Sequence, residues 1–172
     1  MIKYHDEEWG VPVHDDKKLF EFIVLESAQA GLSWRTILHR REGYGKAFAR
    51  FDFNKIAKFT DKDFKRLMND GGIIRNRLKI LATINNAQKF IEVRKEFGTF
   101  DKYIWSFVNN KPIINNFKTL KDLPAKTELS DKISTDLKKR GFKFMGSTIV
   151  YAHMQATGMV NDHINECFRK RR

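Results

Sequence analysis

The sequence predicts an all-α protein, a helical bundle in which a short basic hairpin joins two of the helices. Three observations lead there. Only three of 172 residues are proline, while Lys, Leu, Ile and Phe abound, so few positions interrupt a helix. Apolar residues recur at intervals of three and four along most of the chain. The run Lys138-Lys139-Arg140-Gly141-Phe142-Lys143-Phe144-Met145-Gly146 then sets two glycines and four cationic side chains between two such periodic segments.

The elements follow in order. Residues 1–15, with Tyr4, His5, Trp9, Gly10 and Pro12, read as irregular. A helix is expected from Asp16, serving as its N-cap, to Gln29, with Leu19, Phe20, Ile23 and Val24 on its buried face. Ser33 caps a second helix that runs to Arg41 with Trp34, Ile37 and Leu38 inward. Phe48, Phe51, Phe53, Ile56 and Phe59 suggest short helices packed through their rings. Thr60-Asp61-Lys62-Asp63 suits a helix start, where acids complement the dipole, and Gly71-Gly72 ends that helix. A long helix over 75–95 places Leu78, Leu81, Ile84, Ala87 and Ile91 on one face. Thr99 caps a helix carrying Tyr103, Ile104, Trp105 and Phe107. Residues 109–129, polar and holding two of the three prolines, read as a connecting loop. Ser130 caps the next helix, with Ile133 and Leu137 inward, and the last helix spans 147–157 and stops at Gly158. The basic tail, 169–172, is expected to fray.

The length suits one domain, or two small lobes sharing a core, and 41% hydrophobic residues suffice to fill it. No apolar stretch approaches the roughly 20 residues of a membrane span, and no signal-peptide pattern is present. A single cysteine excludes an internal disulfide framework and fits the cytoplasm. The net charge of +12 points to a polyanionic partner, nucleic acid ahead of an anionic membrane surface; the competing source is a lysine-rich surface reflecting AT-rich coding.

Glu26 stands out chemically. It continues an apolar helix and is followed by Ser27-Ala28-Gln29-Ala30-Gly31-Leu32-Ser33-Trp34. A carboxylate directed inward is costly without a partner, so either backbone N–H groups at the helix end satisfy it or a ligand does. In the hairpin, Gly141 and Gly146 allow positive φ, and Phe142 and Phe144 can plug the angle between the helices. Lys143 and backbone N–H groups would then face outward beside a helix N-terminus, a phosphate site that reads no sequence; the other reading is an ordinary corner of a bundle. His163 and Cys167 would share a helical face and can ligate zinc, with His5 as a third ligand if the chain ends meet. A satisfied His beside a free Cys is the alternative.

Several of these segments together resemble one family, DNA-3-methyladenine glycosylase I of the helix-hairpin-helix superfamily. They are Tyr4-His5-Asp6-Glu7-Glu8-Trp9-Gly10-Val11-Pro12, Leu25-Glu26 through Trp34, Gly141 through Gly146, and Val160-Asn161-Asp162-His163 with Cys167, in order over essentially the whole chain. The resemblance implies a single two-lobed domain, with the chain's ends meeting in one lobe and helices of about 33–110 forming the other. It implies a monomeric hydrolase that excises alkylated adenine from double-stranded DNA. By the same resemblance Glu26 hydrogen-bonds the extruded base, Tyr4 and Trp34 stack on it, and Trp9 supports the pocket. Gly31-Leu32 fills the gap left in the duplex. Arg140, Gly141, Lys143 and Gly146 anchor DNA. His5, His163 and Cys167 match three ligands of a structural zinc.

This chain opens at Met1-Ile2-Lys3-Tyr4, inside the first motif, whereas the family carries about a dozen earlier residues, among them a fourth zinc-ligating cysteine and a further aromatic residue. The expectation is therefore a shortened N-terminus and three protein ligands for zinc. Where many related glycosylases carry a catalytic Asp, alignment places Asn161, which cannot act as a base. The main competing function is a non-enzymatic DNA-binding domain that lost turnover with its N-terminus; a small metal-stabilised helical module is the third.

Overall fold

The computed structural model describes residues 1–171. Its helices are α1 (Ile2–Glu7), α2 (Asp16–Gln29), α3 (Trp34–Ala47), α4 (Phe53–Ile56), α5 (Asp61–Met68), α6 (Arg77–Phe97), α7 (Phe100–Ser106), α8 (Glu128–Lys139) and α9 (Ser147–Ala156). Two short strands, β1 (Ile113–Ile114) and β2 (Val160–Asn161), pair in parallel, with Ile113 opposite Val160. The fold is all-α, as the sequence predicts. Arg172, the end of the tail expected to fray, lies outside the described residues; Phe168–Arg171 forms one 3₁₀ turn.

Helix α2 is the hub, packed against α3, α6, α7 and α9. From Leu19 to Ala28 only Glu21 is less than fully buried, so the helix is surrounded rather than lying on a surface by one face. Its N-cap is Asp15, which accepts from the Lys18 N–H at 2.8 Å, one residue before the expected Asp16. Asp16 is occupied elsewhere: it accepts from Arg94 Nε at 2.6 Å and from the N–H groups of Phe100 and Asp101. One carboxylate thereby binds α2, α6 and α7 together.

Some expected elements shift for identifiable reasons. Residues 2–7 form a helix with only Tyr4 buried, too short for any periodicity to announce it. Ser33 caps α3 as expected, but α3 continues past Arg41 to Ala47. Along α6 the core face is Ile80, Ala87, Phe90 and Val93, together with Thr83 and Asn86. Leu78 and Leu81 are instead exposed. The α8 N-cap is Thr127, which forms a reciprocal capping box with Ser130 three residues on. The 109–129 loop carries β1 and a 3₁₀ turn at Leu120–Asp122.

The hairpin between α8 and α9 has Gly141 at φ +89°, but Gly146 is at −69° and the second positive φ falls on Phe144. Phe142 is buried as a plug, whereas the second buried plug is Met145 and Phe144 is only half-buried.

The N-terminal segment is stitched to the end of α9. Gly10 N–H donates to Gln155 O at 2.9 Å and Val13 N–H to Thr157 O at 3.0 Å. Tyr4, Phe22 and Ala156 form a small second core there, flanked by Trp9, Val13, Trp34 and Leu38. Gly158 permits the close approach: it sits at φ +69°, and a Cβ would lie 2.4 Å from Pro12 N and Val11 C. Gly158→Ala should therefore cost about 2–4 kcal/mol of stability, read as a lower urea midpoint with an unchanged slope.

Candidate active site

Glu26 lies one turn before the end of α2, is 2% exposed, and leaves Oε2 without a hydrogen-bond partner. The helix-end alternative, a carboxylate satisfied by backbone N–H groups, is not what is found. Burial pushes the carboxyl up from the ordinary 4.5 to about 8, so in the free protein it is mostly protonated at neutral pH. A buried, unsatisfied polar group costs about 1–3 kcal/mol, a cost that a pocket for a donor or a cation can recover.

The carboxyl borders a cavity of about 180 Å³ lined by Tyr4, Trp9, Glu26, Gln29, Trp34 and Gln155, with Ala152. Tyr4, Trp9 and Trp34 also line an adjoining apolar cleft of about 480 Å³ that reaches His163 and Cys167. The Tyr4 and Trp34 centroids are 5.5 Å apart with planes at 54°, so these rings adjoin as walls and do not face each other as two jaws. Burial first, and then the charge of Glu26, hold the Tyr4 phenol well above its ordinary pKa. Trp34 Nε1 is buried beside the Tyr4 hydroxyl without a hydrogen bond of good geometry.

Trp9 meets the imidazole of His163 edge-on, with centroids 4.5 Å apart, and stacks at 6.1 Å on His5. It links the pocket to the cluster of His5, His163 and Cys167, whose donor atoms all lie within 4.8 Å of one another. His163 and Cys167 come together through a turn, not along the helix the spacing suggested. Each histidine directs Nε2 inward and engages Nδ1 elsewhere: His5 with Asp6 at 2.7 Å, His163 with Asn161 Oδ1 at 3.0 Å. His163 Nε2 is buried with no partner, and burial lowers its pKa to about 4, giving the neutral imidazole that metal ligation needs. Two imidazoles and a thiol supply three of the four donors that a structural zinc takes.

Asn161 is bound to His163 through both the ring and the backbone N–H, at 3.0 and 3.2 Å. Asp162, to which the sequence reading gave no role, is 1% exposed. It accepts from Tyr151, from Gln155 Nε2 at 2.8 Å and from Asn115 Nδ2 at 2.7 Å, so its carboxylate is committed to holding β1, β2 and α9 together. Arg41 likewise has a role that its neighbours in sequence do not announce. It donates twice to Glu8, at 2.8 and 2.7 Å, and once to Glu21 at 2.6 Å, fixing the residue next to Trp9 against α2. Arg41 lies in no short motif and Asp162 only inside the Val160–His163 segment, and neither role shows locally, since each residue acts by joining distant segments.

Just past the same end of α2, Gly31 takes φ +77° and Leu32 is 38% exposed. On the hairpin, Lys138, Lys139 and Lys143 are exposed. Arg140 is engaged by Glu96 at 2.7 Å and Asp136 at 2.8 Å, and lies over the rings of Phe97 and Tyr103. Among the described residues, the N–H groups of Phe144, Met145 and Gly146 meet no protein acceptor.

The pKa of Glu26 carries a pH dependence of known sign. The folded chain keeps a proton that the unfolded chain gives up near 4.5, so stability should fall as pH rises from about 4.5 to 8 and level off beyond. Glu26→Gln should remove a drop on the order of a few kcal/mol across that interval, measured by urea unfolding at several pH values. An unchanged pH profile would show that the carboxyl is solvated.

Comparison with known proteins identifies the family. Residues 1–170 match the family model for methyladenine glycosylase. A DNA-3-methyladenine glycosylase of Haemophilus influenzae is 51% identical over 96% of this chain and 90% of its own length. A crystal structure of a tyrosine-to-phenylalanine variant of 3-methyladenine DNA glycosylase I, in complex with 3-methyladenine, superimposes with a TM-score of 0.96 at 38% identity. That match covers 98% of this chain and 91% of the other. A glutamate-to-glutamine mutant of the Staphylococcus aureus enzyme superimposes with a TM-score of 0.95 at 38% identity, covering 98% and 91%. This chain belongs to the methyladenine glycosylase family.

Proposed function

We propose that the protein is a DNA repair glycosylase that swings 3-methyladenine out of double-stranded alkylated DNA and hydrolyses its bond to deoxyribose, leaving an abasic site. The observation that carries this is Glu26, a buried carboxyl without a partner, bordering a small aromatic-walled cavity. The positions altered in the two solved variants, a tyrosine and a glutamate, are as far apart in sequence as Tyr4 and Glu26.

The chemistry needs little machinery. Methylation at N3 makes the adenine cationic and weakens its glycosidic bond. When that bond breaks, its electron pair goes to the base, which departs neutral and needs no acid. Water adds to C1′ and releases a proton. Extrusion costs a few kcal/mol, less for a damaged base. Aromatic faces return about 1–2 kcal/mol to a desolvated cation. Glu26 accepts from the exocyclic amine, and its proton leaves as the cationic ring arrives. Once ionised, the carboxylate rejects bases that present an acceptor at that edge. Because an anion that holds a cationic base stabilises the bound substrate more than the departing one, Glu26 serves selection first. Among the described residues lining the two cavities, the other carboxylate is Asp162, and it is already committed.

Around this pocket the chain's termini form one lobe and helices of about 33–110 the other. Gly31-Leu32 fills the gap in the duplex. Lys143 and the free N–H groups of the hairpin hold phosphates, whereas Arg140, already paired, braces α8 against α6. His5, His163 and Cys167 hold a structural zinc whose role is to tie the chain's two ends together beside Trp9. The protein works as a monomer in the cytoplasm.

Incubating the chain with methylated duplex DNA should release 3-methyladenine, detected chromatographically, and the purified protein should carry about one zinc per chain. Duplex binding without base release would instead establish the non-enzymatic alternative.

A further inference from the structure

We propose that α6 is the strut that sets the distance between the two DNA-contacting elements, with Lys79 and Asn86 as positioning residues at its two grips. The proposal rests on the glycosylase reading above and assigns a role to a helix that touches neither base nor cofactor.

The first grip is at the end of α2. Lys79 Nζ donates to Ala28 O at 2.9 Å and Ala30 O at 2.5 Å, two of the last three carbonyls before Gly31-Leu32. A cation there also suits the negative end of the helix dipole. Besides the turn bond from Leu32 N–H to Gln29 O at 2.6 Å, the corner has few contacts: a Cβ on Gly31 would meet nothing within 4 Å, and Leu32 is exposed.

The second grip is at the hairpin. Asn86 Oδ1 accepts the Lys143 N–H at 2.8 Å, and Asn86 Nδ2 donates to Lys143 O at 2.9 Å. This amide is 1% exposed and serves Lys143 as a neighbouring strand would, by pairing both backbone groups. Asn85 Nδ2 adds a bond to Gly141 O at 2.9 Å. The next residue, Phe144, is held at φ +54°, a conformation a bulky residue avoids unless its surroundings impose it.

Lys79 and Asn86 are seven residues apart, about two helical turns, and so lie on one side of α6 roughly 10.5 Å apart along its axis. A rigid helix therefore presents the wedge corner and the phosphate-binding hairpin at a fixed separation. Leu32 can enter the duplex at the lesion only if the hairpin grips the backbone at the matching distance.

The two grips predict different kinetic signatures. In Asn86→Leu, duplex Kd should rise about tenfold and its salt dependence flatten, and the single-turnover rate at saturating methylated DNA should fall because the hairpin no longer keeps its distance from Leu32, while the affinity for free 3-methyladenine stays unchanged. Asn86→Asp, which keeps the shape and one bond, should fall between this variant and the parent. In Lys79→Met, duplex Kd should hold while the single-turnover rate falls about tenfold, and Lys79→Arg should restore it. The proposal is overturned if Asn86→Leu binds duplex as the parent does, if Lys79→Met cleaves at the parent rate, or if either variant loses Kd, rate and free-base affinity together. Should the parent chain release no base, the glycosylase reading fails, and the duplex Kd of the Asn86 variants still judges the hairpin grip.

Discussion

A carboxyl held away from water without a partner is the constraint around which this structure is arranged. Glu26 is in that position because α2 is enclosed on nearly every side, and α2 is enclosed because Asp16 fastens its start to α6 and α7 while Lys79 fastens its end to α6. A helix pinned at both ends cannot turn Glu26 out to water. The unsatisfied group persists as stored cost, which a cationic hydrogen-bond donor of the right shape relieves.

The walls of the pocket come from remote parts of the chain, so their placement depends on joints rather than on any one helix. Tyr4 and Trp9 belong to a segment that would have little reason to stay in place by itself. Backbone bonds to Gln155 and Thr157, the Arg41 clamp on Glu8, and the cluster of His5, His163 and Cys167 hold it from three directions. Asp162 ties β2 and α9 behind that cluster. The cavity is thus largely preformed, which limits what ordering must cost when a base arrives.

What could be read in the sequence was what local chemistry determines. Ser33 as a cap, Gly141 in the left-handed region and the all-helical class follow from residue type and near neighbours. Glu26 drew notice because a carboxylate in an apolar run is anomalous wherever it occurs. On α6 the expected face holds at Ile84, Ala87 and Ile91 but not at Leu78 and Leu81, because two apolar series compete along the helix and the buried one carries Asn86, a polar residue whose reason lies 57 positions away at Lys143. Asp162, Arg41 and the grip of Lys79 escaped for the same reason: each satisfies a partner that only the tertiary fold brings near. Arg140 looked like a free cation in a basic run, and only the packing shows it paired.

The most direct test of the pocket is calorimetric titration of free 3-methyladenine into the chain and into its Glu26→Gln variant at pH 9, where the carboxyl, with its pKa raised to about 8, is ionised. We expect the variant, which keeps the shape but not the charge, to bind about tenfold or more weakly, the loss of one charge-assisted hydrogen bond. Equal affinity in the two would contradict the assignment of the carboxyl to the base.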